Sequence, residues 1–173
     1  MQGTIKINTL LTARLFEPKD KSLGTDYLRE HPVTSHPELY KEIKSGRRQV
    51  KDRVITTAYC TFLALMHQTD TTVIGDFKYH DSGIGTGDEA IGDIGLGVAW
   101  GGARDIGTQV ASTNTYTSVA TTTYNTTKAI TEHGLFSASS GATLMDRSKF
   151  AAINVVDTNQ IQWTYVLTLT AGG

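Results

Sequence analysis

The chain has 173 residues, and its 16 lysines and arginines against 17 aspartates and glutamates give a formal net charge of −1. This length supports one domain, and a hydrophobic fraction of 39% is typical of a folded rather than a disordered protein. The near-neutral charge offers no long-range attraction to nucleic acid or an anionic membrane, and no apolar run reaches the ~18 residues of a membrane-spanning helix.

The first 53 residues differ from the rest because they carry all three prolines and many of the charges. Within them, the apolar patch INTLLTARLF needs a partner surface, which predicts an N-terminal arm that docks on a neighbouring subunit. A poorly ordered terminus is the alternative. The predicted interface residues of this arm are Leu10, Leu11, Leu15 and Phe16. We place a boundary near Arg53, with an arm and a short helix in 1–53 and a helix plus a β domain in 54–173.

Two helices are predicted before the β domain. The segment SHPELYKEIKSG has Ser35 and Glu38 at capping-box spacing, Pro37 in the first turn and Gly46 as a stop signal. The next segment, RRQVKDRVITTAYCTFLALMHQ, repeats apolar residues every four positions, which predicts an amphipathic helix on a core. The repeating positions are Val50, Val54, Ala58, Phe62 and Met66.

Cys60, the single cysteine, lies in this second helical segment. It has no partner for an internal disulfide or a metal site, so a reducing cytoplasm is the simplest setting, and the apolar neighbours predict a packed small side chain. A cluster of cations precedes it, and we expect a solvated face there, with a nucleic-acid patch as the alternative. These cations are Arg47, Arg48, Lys51 and Arg53.

From Phe77 onwards, the apolar period changes to two. TYTSVATTTYNTT alternates Tyr116, Ser118 and Ala120 with threonines, and NQIQWTYVLTLT alternates Trp163 and Tyr165 with polar residues. Such alternation in runs rich in threonine, tyrosine and valine is typical of antiparallel strands with one solvated face. The fold prediction is therefore a mainly β protein, an antiparallel β-sandwich or jelly roll, preceded by the arm and one or two α-helices.

The segment YHDSGIGTGDEAIGDIGLGVAWGGAR (79–104) is rich in glycine. A dinucleotide loop is disfavoured because Asp88 and Glu89 would stand where phosphates bind, and a P-loop is excluded because Gly-Lys-Ser/Thr is absent. We expect a strand ending at 79–81, followed by a long ordered loop that forms a contact surface between subunits. Trp100 is the candidate anchor, either for the loop itself or against another subunit.

The pairs His80-Asp81 and Glu132-His133 contain residue types used in catalysis. Adjacent strand residues point to opposite faces, so neither pair forms a triad, and an exposed polar strand end is the expectation for His80. A calcium site would need His80, Asp81, Asp88 and Asp93 to converge, and their spacing fits no ordered calcium loop. We therefore expect no enzyme: no catalytic residues, no cofactor-binding residues and no metal ligands.

The C-terminal part contains E-x-GLF, a turn of small residues, L-x-R-x-x-F and a last amphipathic strand. With the upstream glycine-rich segment, this pattern resembles one that recurs in virion structural proteins of tailed bacteriophages, including tail, fibre and decoration-like proteins, over about residues 54–173. The residues that carry it are Glu132, Gly134, Leu135, Phe136, Leu144, Arg147 and Phe150.

The matching positions have structural expectations. Gly134 should mark a bulge or a close backbone approach. Phe136, Leu144 and Phe150 should fill the interior. Arg147 should either pair with Glu132 across strands or remain solvated.

The resemblance implies a non-enzymatic virion component, assembled in the host bacterial cytoplasm through protein–protein contacts. Decoration or cementing of the capsid, with the major capsid protein as partner, is favoured because a chain of this size offers one compact β domain with an apolar N-terminal arm that could latch onto a shell. A neck, tail or fibre-attachment component, contacting portal, neck or tail proteins, is the alternative. A homo-oligomer is expected, with a trimer by analogy. A second alternative is a host-surface or carbohydrate-binding module that uses Trp100 and neighbouring acidic residues. No nucleic acid, membrane or cofactor is expected as a partner.

Overall fold

The computed structural model describes residues 6–43, 48–50, 54–66 and 77–170. Within these ranges the protein is mainly β, as the alternation predicts, and two antiparallel sheets pack as a sandwich. The helices are α1 (Thr25–Glu30) and α2 (Thr57–Met66), and a 3₁₀ turn spans Pro37–Leu39. The strands are β1 (Lys6–Pro18), β2 (Tyr40–Glu42), β3 (Arg48–Val50), β4 (Val54–Ile55), β5 (Tyr79–Gly83), β6 (Asp105–Ile106), β7 (Val110–Ser112), β8 (Thr115–Thr123), β9 (Lys128–Phe136), β10 (Leu144–Val155) and β11 (Gln160–Thr170).

The first sheet has the order β2–β1–β11–β8–β7, with β3 also paired to β1. The second sheet has the order β4–β10–β9–β5–β6. Strands β9 and β10 are consecutive neighbours in the second sheet, and the chain then crosses to the first sheet through the turn before β11. This topology places the E-x-GLF residues of β9 between β5 and β10.

The alternation in β8 and β11 decides which side chains enter the core. Ser118, Ala120 and Thr122 of β8 are buried, as are Ile161, Trp163 and Tyr165 of β11, while the residues between them are more exposed. The two sheets meet in apolar clusters, in one of which Trp163 from the first sheet packs with Ile130 and Ile153 from the second. Each such side chain contributes roughly 1.5–3 kcal/mol when it is fully removed from water.

The predicted docking arm is wrong for the described part of the N-terminus. Strand β1 pairs with β11 from Lys6↔Thr170 to Phe16↔Gln160, so it is a central strand of the first sheet. Leu11 and Leu15 lie in the core of the sandwich, because positions 11, 13 and 15 share the inner face. Phe16 is buried beside Leu28 in a smaller cluster. Leu10 points to the other face and is partly exposed. The proposed boundary at Arg53 lies outside the described residues.

The helix predicted from Ser35 is also wrong. A single 3₁₀ turn forms at Pro37, and Tyr40 then begins strand β2 instead of continuing the helix. Tyr40 is buried, and its hydroxyl donates to the carbonyl oxygens of Leu28 and His31. This packing outweighs the local capping signals. Gly46, the predicted stop, lies outside the described residues.

The second predicted helix is shorter than expected, because α2 begins at Thr57 and β4 precedes it. Its start is fixed by Thr56, whose hydroxyl accepts a hydrogen bond from the Tyr59 backbone N–H at 3.2 Å. Tyr59 faces the core, whereas Cys60, the next residue around the helix, is exposed. The prediction that Cys60 is packed inside is therefore wrong.

Candidate functional site

The glycine-rich loop, residues 84–104, leaves β5 and returns as β6. Its two ends stay together near β5, because Ile84 N–H donates to the Val98 carbonyl and Trp100 N–H donates to the Ser82 carbonyl. The Thr57 N–H, at the start of α2, donates to the Ile91 carbonyl. The predicted strand followed by a long loop is confirmed, and the loop is held at several points.

Glu132, in the middle of β9, is the main anchor of this loop. Its carboxylate is fully buried and accepts hydrogen bonds from the backbone N–H groups of Gly85 (2.8 Å), Gly97 (3.0 Å) and Val98 (2.9 Å). Burial alone would raise the pKa of Glu132, but these donors and Arg147 outweigh it, so the pKa lies below its ordinary value. The ionised carboxylate therefore fastens both ends of the loop to β9.

Arg147, on the neighbouring strand β10 and opposite Gly134, completes the anchor. Its Nε donates to Glu132 at 2.8 Å, which confirms the cross-strand pair rather than the solvated arginine. The other guanidinium nitrogens donate to the Asp93 carboxylate (2.8 Å) and to the carbonyl oxygens of Gly87 and Asp88. Two residues further along β10, Lys149 pairs with Asp88 at 2.7 Å. Two acidic residues of the loop, Asp88 and Asp93, are thus paired with cations of β10.

The glycines next to Glu132 are required by this close approach. A Cβ atom at Gly83 or Gly85 would lie less than 3.0 Å from the Glu132 carboxylate, and one at Gly97 would lie 2.9 Å from the Arg147 guanidinium. Gly134 makes the predicted close approach, since a Cβ atom there would meet Phe136 and Leu96. Three glycines of this segment, Gly83, Gly85 and Gly97, are therefore explained by backbone packed against a buried ion pair.

Three apolar side chains of the anchored loop face solvent, and we call them the exposed trio. Ile91 is 68% exposed, Ile94 is 84% exposed and Val98 is 52% exposed. Single exposed apolar residues are normal, but this loop exposes three on a backbone that is held in place, as an assembly contact would require. The trio is therefore the candidate functional site of this protein.

Trp100 anchors the loop within its own chain, which is one of the two roles predicted for it. Its ring packs edge-on against Tyr124, with centroids 4.9 Å apart, and contacts the core of the sandwich. The ring also lies against Gly102, where any side chain would overlap it.

His80 is not at an exposed strand end, and that prediction is wrong. Its Nδ1 lies 3.0 Å from His133 Nε2, its Nε2 lies 2.8 Å from Ser118 Oγ, and all three residues are fully buried. Burial lowers the pKa of His80 to about 3, so the ring is neutral. The cluster joins β5 and β9 of one sheet to β8 of the other, and its burial gives it a structural role.

His80 and Asp81 do point to opposite faces, as predicted. Asp81 lies near Arg104, with Oδ2 and Nε 3.4 Å apart. Burial raises the pKa of Asp81 although Arg104 opposes the shift. The Arg104 guanidinium lies 3.5 Å from the Phe136 ring centroid and donates to the Ala138 and Gly141 carbonyl oxygens, so it ties the loop end to the β9–β10 turn.

Within the described ranges, no group of three or more histidine, cysteine, aspartate or glutamate side chains is arranged to hold a metal ion. Asp88 and Asp93, considered above for calcium, instead pair with Lys149 and Arg147. In the same parts of the chain, no helix is long and apolar enough to cross a membrane.

Comparison with protein-family models, with curated proteins and with solved structures gave no match to this chain. Sequence reasoning predicted the ion pair and the loop separately but missed that one anchors the other. The available signal was Glu132 itself, a charged residue two positions before the Gly-Leu-Phe run of β9.

Proposed function

We propose that this protein is a non-enzymatic structural component of a tailed-bacteriophage virion that assembles through protein–protein contacts. The observation that carries the proposal is that Glu132 and Arg147, two residues of the virion-protein pattern, fix the loop that exposes the trio. A pattern that encodes a fixed, apolar contact loop suits a protein whose task is assembly.

The anchoring also explains how such a loop would bind. A flexible loop loses conformational freedom when it docks, at a cost of about 0.5–1.5 kcal/mol for each immobilised side chain. Here the buried carboxylate and guanidinium have already fixed the backbone around the trio. Most of the free energy from burying Ile91, Ile94 and Val98 would then remain available for association.

Within the virion, the capsid surface is the position that we favour, with the major capsid protein as the partner. The support is the size of the chain, which builds a single sandwich with a fixed contact loop. A neck, tail or fibre-attachment position is the alternative. A homo-oligomer, with a trimer as the first candidate, belongs to the same proposal because virion components repeat about symmetry axes.

Immunogold imaging of purified particles tests both the virion role and the position on the capsid. Label distributed over the capsid is the expected result. Label confined to the neck or tail would overturn the capsid position but retain the virion role. Particles free of label, in a preparation where the protein is expressed and detected in the lysate, would overturn the virion role itself. Light scattering on the isolated protein tests the oligomer, and a stable monomer would contradict it.

A further inference from the structure

An apolar pocket of about 160 Å³ opens between α2 and the two sheets. Every residue that lines it is apolar or aromatic, and none is charged. The hydroxyl of Tyr116 donates to the Phe77 carbonyl, so the polar end of this lining side chain is satisfied within the chain. A cavity of about 150 Å³ accepts a benzene ring, so this pocket has room for one branched aliphatic side chain. The walls come from Tyr59, Phe62 and Leu63 of α2, together with Phe77, Met145 and Leu167.

The exposed trio supplies an apolar projection on the same chain. Ile94 is 84% exposed, and no residue of the loop 84–104 lines the pocket. The hydrogen bond from the Thr57 N–H to the Ile91 carbonyl holds the loop beside the first turn of α2, and later residues of α2 line the pocket. The chain therefore presents a projection and a pocket, and it does not fill the pocket with its own projection.

Two glycines next to Ile94 have no explanation within the chain. Gly92 and Gly95 have no atom within 4 Å of a Cβ atom at their positions, in contrast to Gly85 and Gly97. Neither of them adopts the positive φ that favours glycine. Their missing side chains instead make the loop narrow on both sides of Ile94, which suits close approach to a concave surface outside the chain.

A second copy of the chain provides both halves of such a contact. The pocket carries no charge, and the Asp93 carboxylate beside Ile94 is paired with Arg147. Identical copies therefore meet here without repulsion at the centre of the contact, where interfaces are typically depleted in charged residues.

We propose that Ile94 of one copy inserts into the apolar pocket of the next copy, in a head-to-tail contact between subunits. This inference rests on the homo-oligomer of the proposed function and names the surfaces that form it. A head-to-tail contact closes into a ring when the rotation between copies matches, as the proposed trimer requires.

Sedimentation equilibrium of the full chain over a range of concentrations tests the contact. Ile94→Asp should weaken self-association at least about tenfold, because a carboxylate would have to enter an apolar pocket. Ile106→Asp is the matched control, since Ile106 is a 68% exposed isoleucine of β6 that lies outside both the loop and the pocket. It should associate like the unmodified protein.

A charge exchange tests the pocket itself. Leu63→Lys places a cation at the half-buried pocket wall, where the aliphatic stem of lysine retains part of the packing, and it should also weaken association. The double variant Ile94→Asp/Leu63→Lys should associate better than either single variant, because each inserted carboxylate then meets an ammonium group of the next copy.

Gly95→Ala and Gly87→Ala form a second pair that leaves the core unchanged, because both positions have room for a methyl group. Only Gly95→Ala, which widens the loop beside Ile94, should weaken association. If Leu63→Lys does not fold, this pair replaces the charge exchange, and equal association of its two members would overturn the contact.

The remaining outcomes separate this contact from the proposed function. Equal association of Ile94→Asp and Ile106→Asp would overturn the contact and leave the homo-oligomer standing. A folded double variant that associates no better than the single variants would overturn the pocket as the partner of Ile94. A wild type that stays monomeric at every concentration would overturn the homo-oligomer and this contact together, whereas the virion role is decided separately by immunogold imaging.

Discussion

The buried side chain of Glu132 explains why glycine is needed at Gly83 and Gly85. It accepts three backbone N–H bonds from the loop and one bond from Arg147, so its lone pairs are satisfied in the absence of water. Breaking a buried ion pair of this kind typically costs several kcal/mol, because the remaining charge is left without compensation. The glycines at the contact points keep the backbone close enough for these bonds to form.

Gly85→Ala should therefore destabilise the protein by about 1–3 kcal/mol, because the new methyl group would overlap the Glu132 carboxylate. Gly87→Ala is the matched control, since no atom lies within 4 Å of a Cβ atom at this position. We expect a change of at most about 0.5 kcal/mol for the control. Urea denaturation of both variants measures the difference, and equal stabilities would contradict the close approach.

The buried imidazole of His80 predicts a dependence of stability on pH. The pKa of His80 is about 3 in the folded protein and about 6.5 in an unfolded chain, so between these values the unfolded state binds more protons. Stability contributed by the neutral ring is therefore lost as pH falls from 6.5 towards 3, by at most about 1.4 kcal/mol per pH unit. Burial raises the pKa of Asp105 to about 6. Its contribution to stability therefore falls as pH rises from about 3.8 to 6, which is opposite to the effect of His80.

Comparison with His80→Gln separates these two effects, because the variant keeps Asp105 and its opposing contribution. Urea titrations at several pH values should show that the stability of the wild type relative to His80→Gln increases as pH rises from 4 to 6.5. Parallel curves for His80→Gln would contradict the buried neutral ring.

Secondary-structure elements differ in how well the sequence predicts them. The long alternations of β8 and β11, with Trp163 and Tyr165 on one face, predict strands and their inner faces correctly. Strand β1 was missed because its inner positions combine Leu11 and Leu15 with the small Ala13, next to Leu10 on the outer face. Such a short apolar run fits several structures, and only its pairing with β11 decides among them.

The loop and the first predicted helix show where local sequence patterns fail to predict long-range contacts. The Glu132–Arg147 pair and the close approach at Gly134 follow from local patterns, whereas the contacts of Arg147 with Asp93 and the loop carbonyls do not. These contacts join residues more than 50 positions apart. Similarly, the burial of Tyr40 outweighs the capping signals around Ser35. This burial depends on contacts with α1 and β1. Local signals are weak where long-range packing supplies more free energy.

Strand β1 is expected to be essential to the sandwich rather than a detachable arm. Leu11→Ala should cost about 2–5 kcal/mol, because Leu11 is fully buried between the sheets. Leu10→Ala, one position away on the partly exposed face, should cost less than about 1 kcal/mol. Thermal and urea unfolding of the two variants provide the comparison. If the two losses were equal, the position of β1 in the first sheet would be contradicted.

For the molecule as a whole, the sandwich acts as a rigid base for one loop. The loop is fixed near its middle by Arg147, near both ends by Glu132, and at Trp100 by packing on Tyr124. Its outer residues form the exposed trio. A single fixed segment thus supplies the proposed assembly surface.

The most direct test of the assembly role is the incorporation of an Ile94→Asp variant into virus particles. Ile94 is 84% exposed, so the change should leave stability almost unaffected while placing a charge in the proposed contact. Val156→Asp, at a 51% exposed apolar residue in the turn before β11, is the matched control. Quantitative immunoblotting of purified particles should show at least tenfold less Ile94→Asp than wild type, and unchanged Val156→Asp. Incorporation of Ile94→Asp at the wild-type level would contradict the role of the loop in assembly.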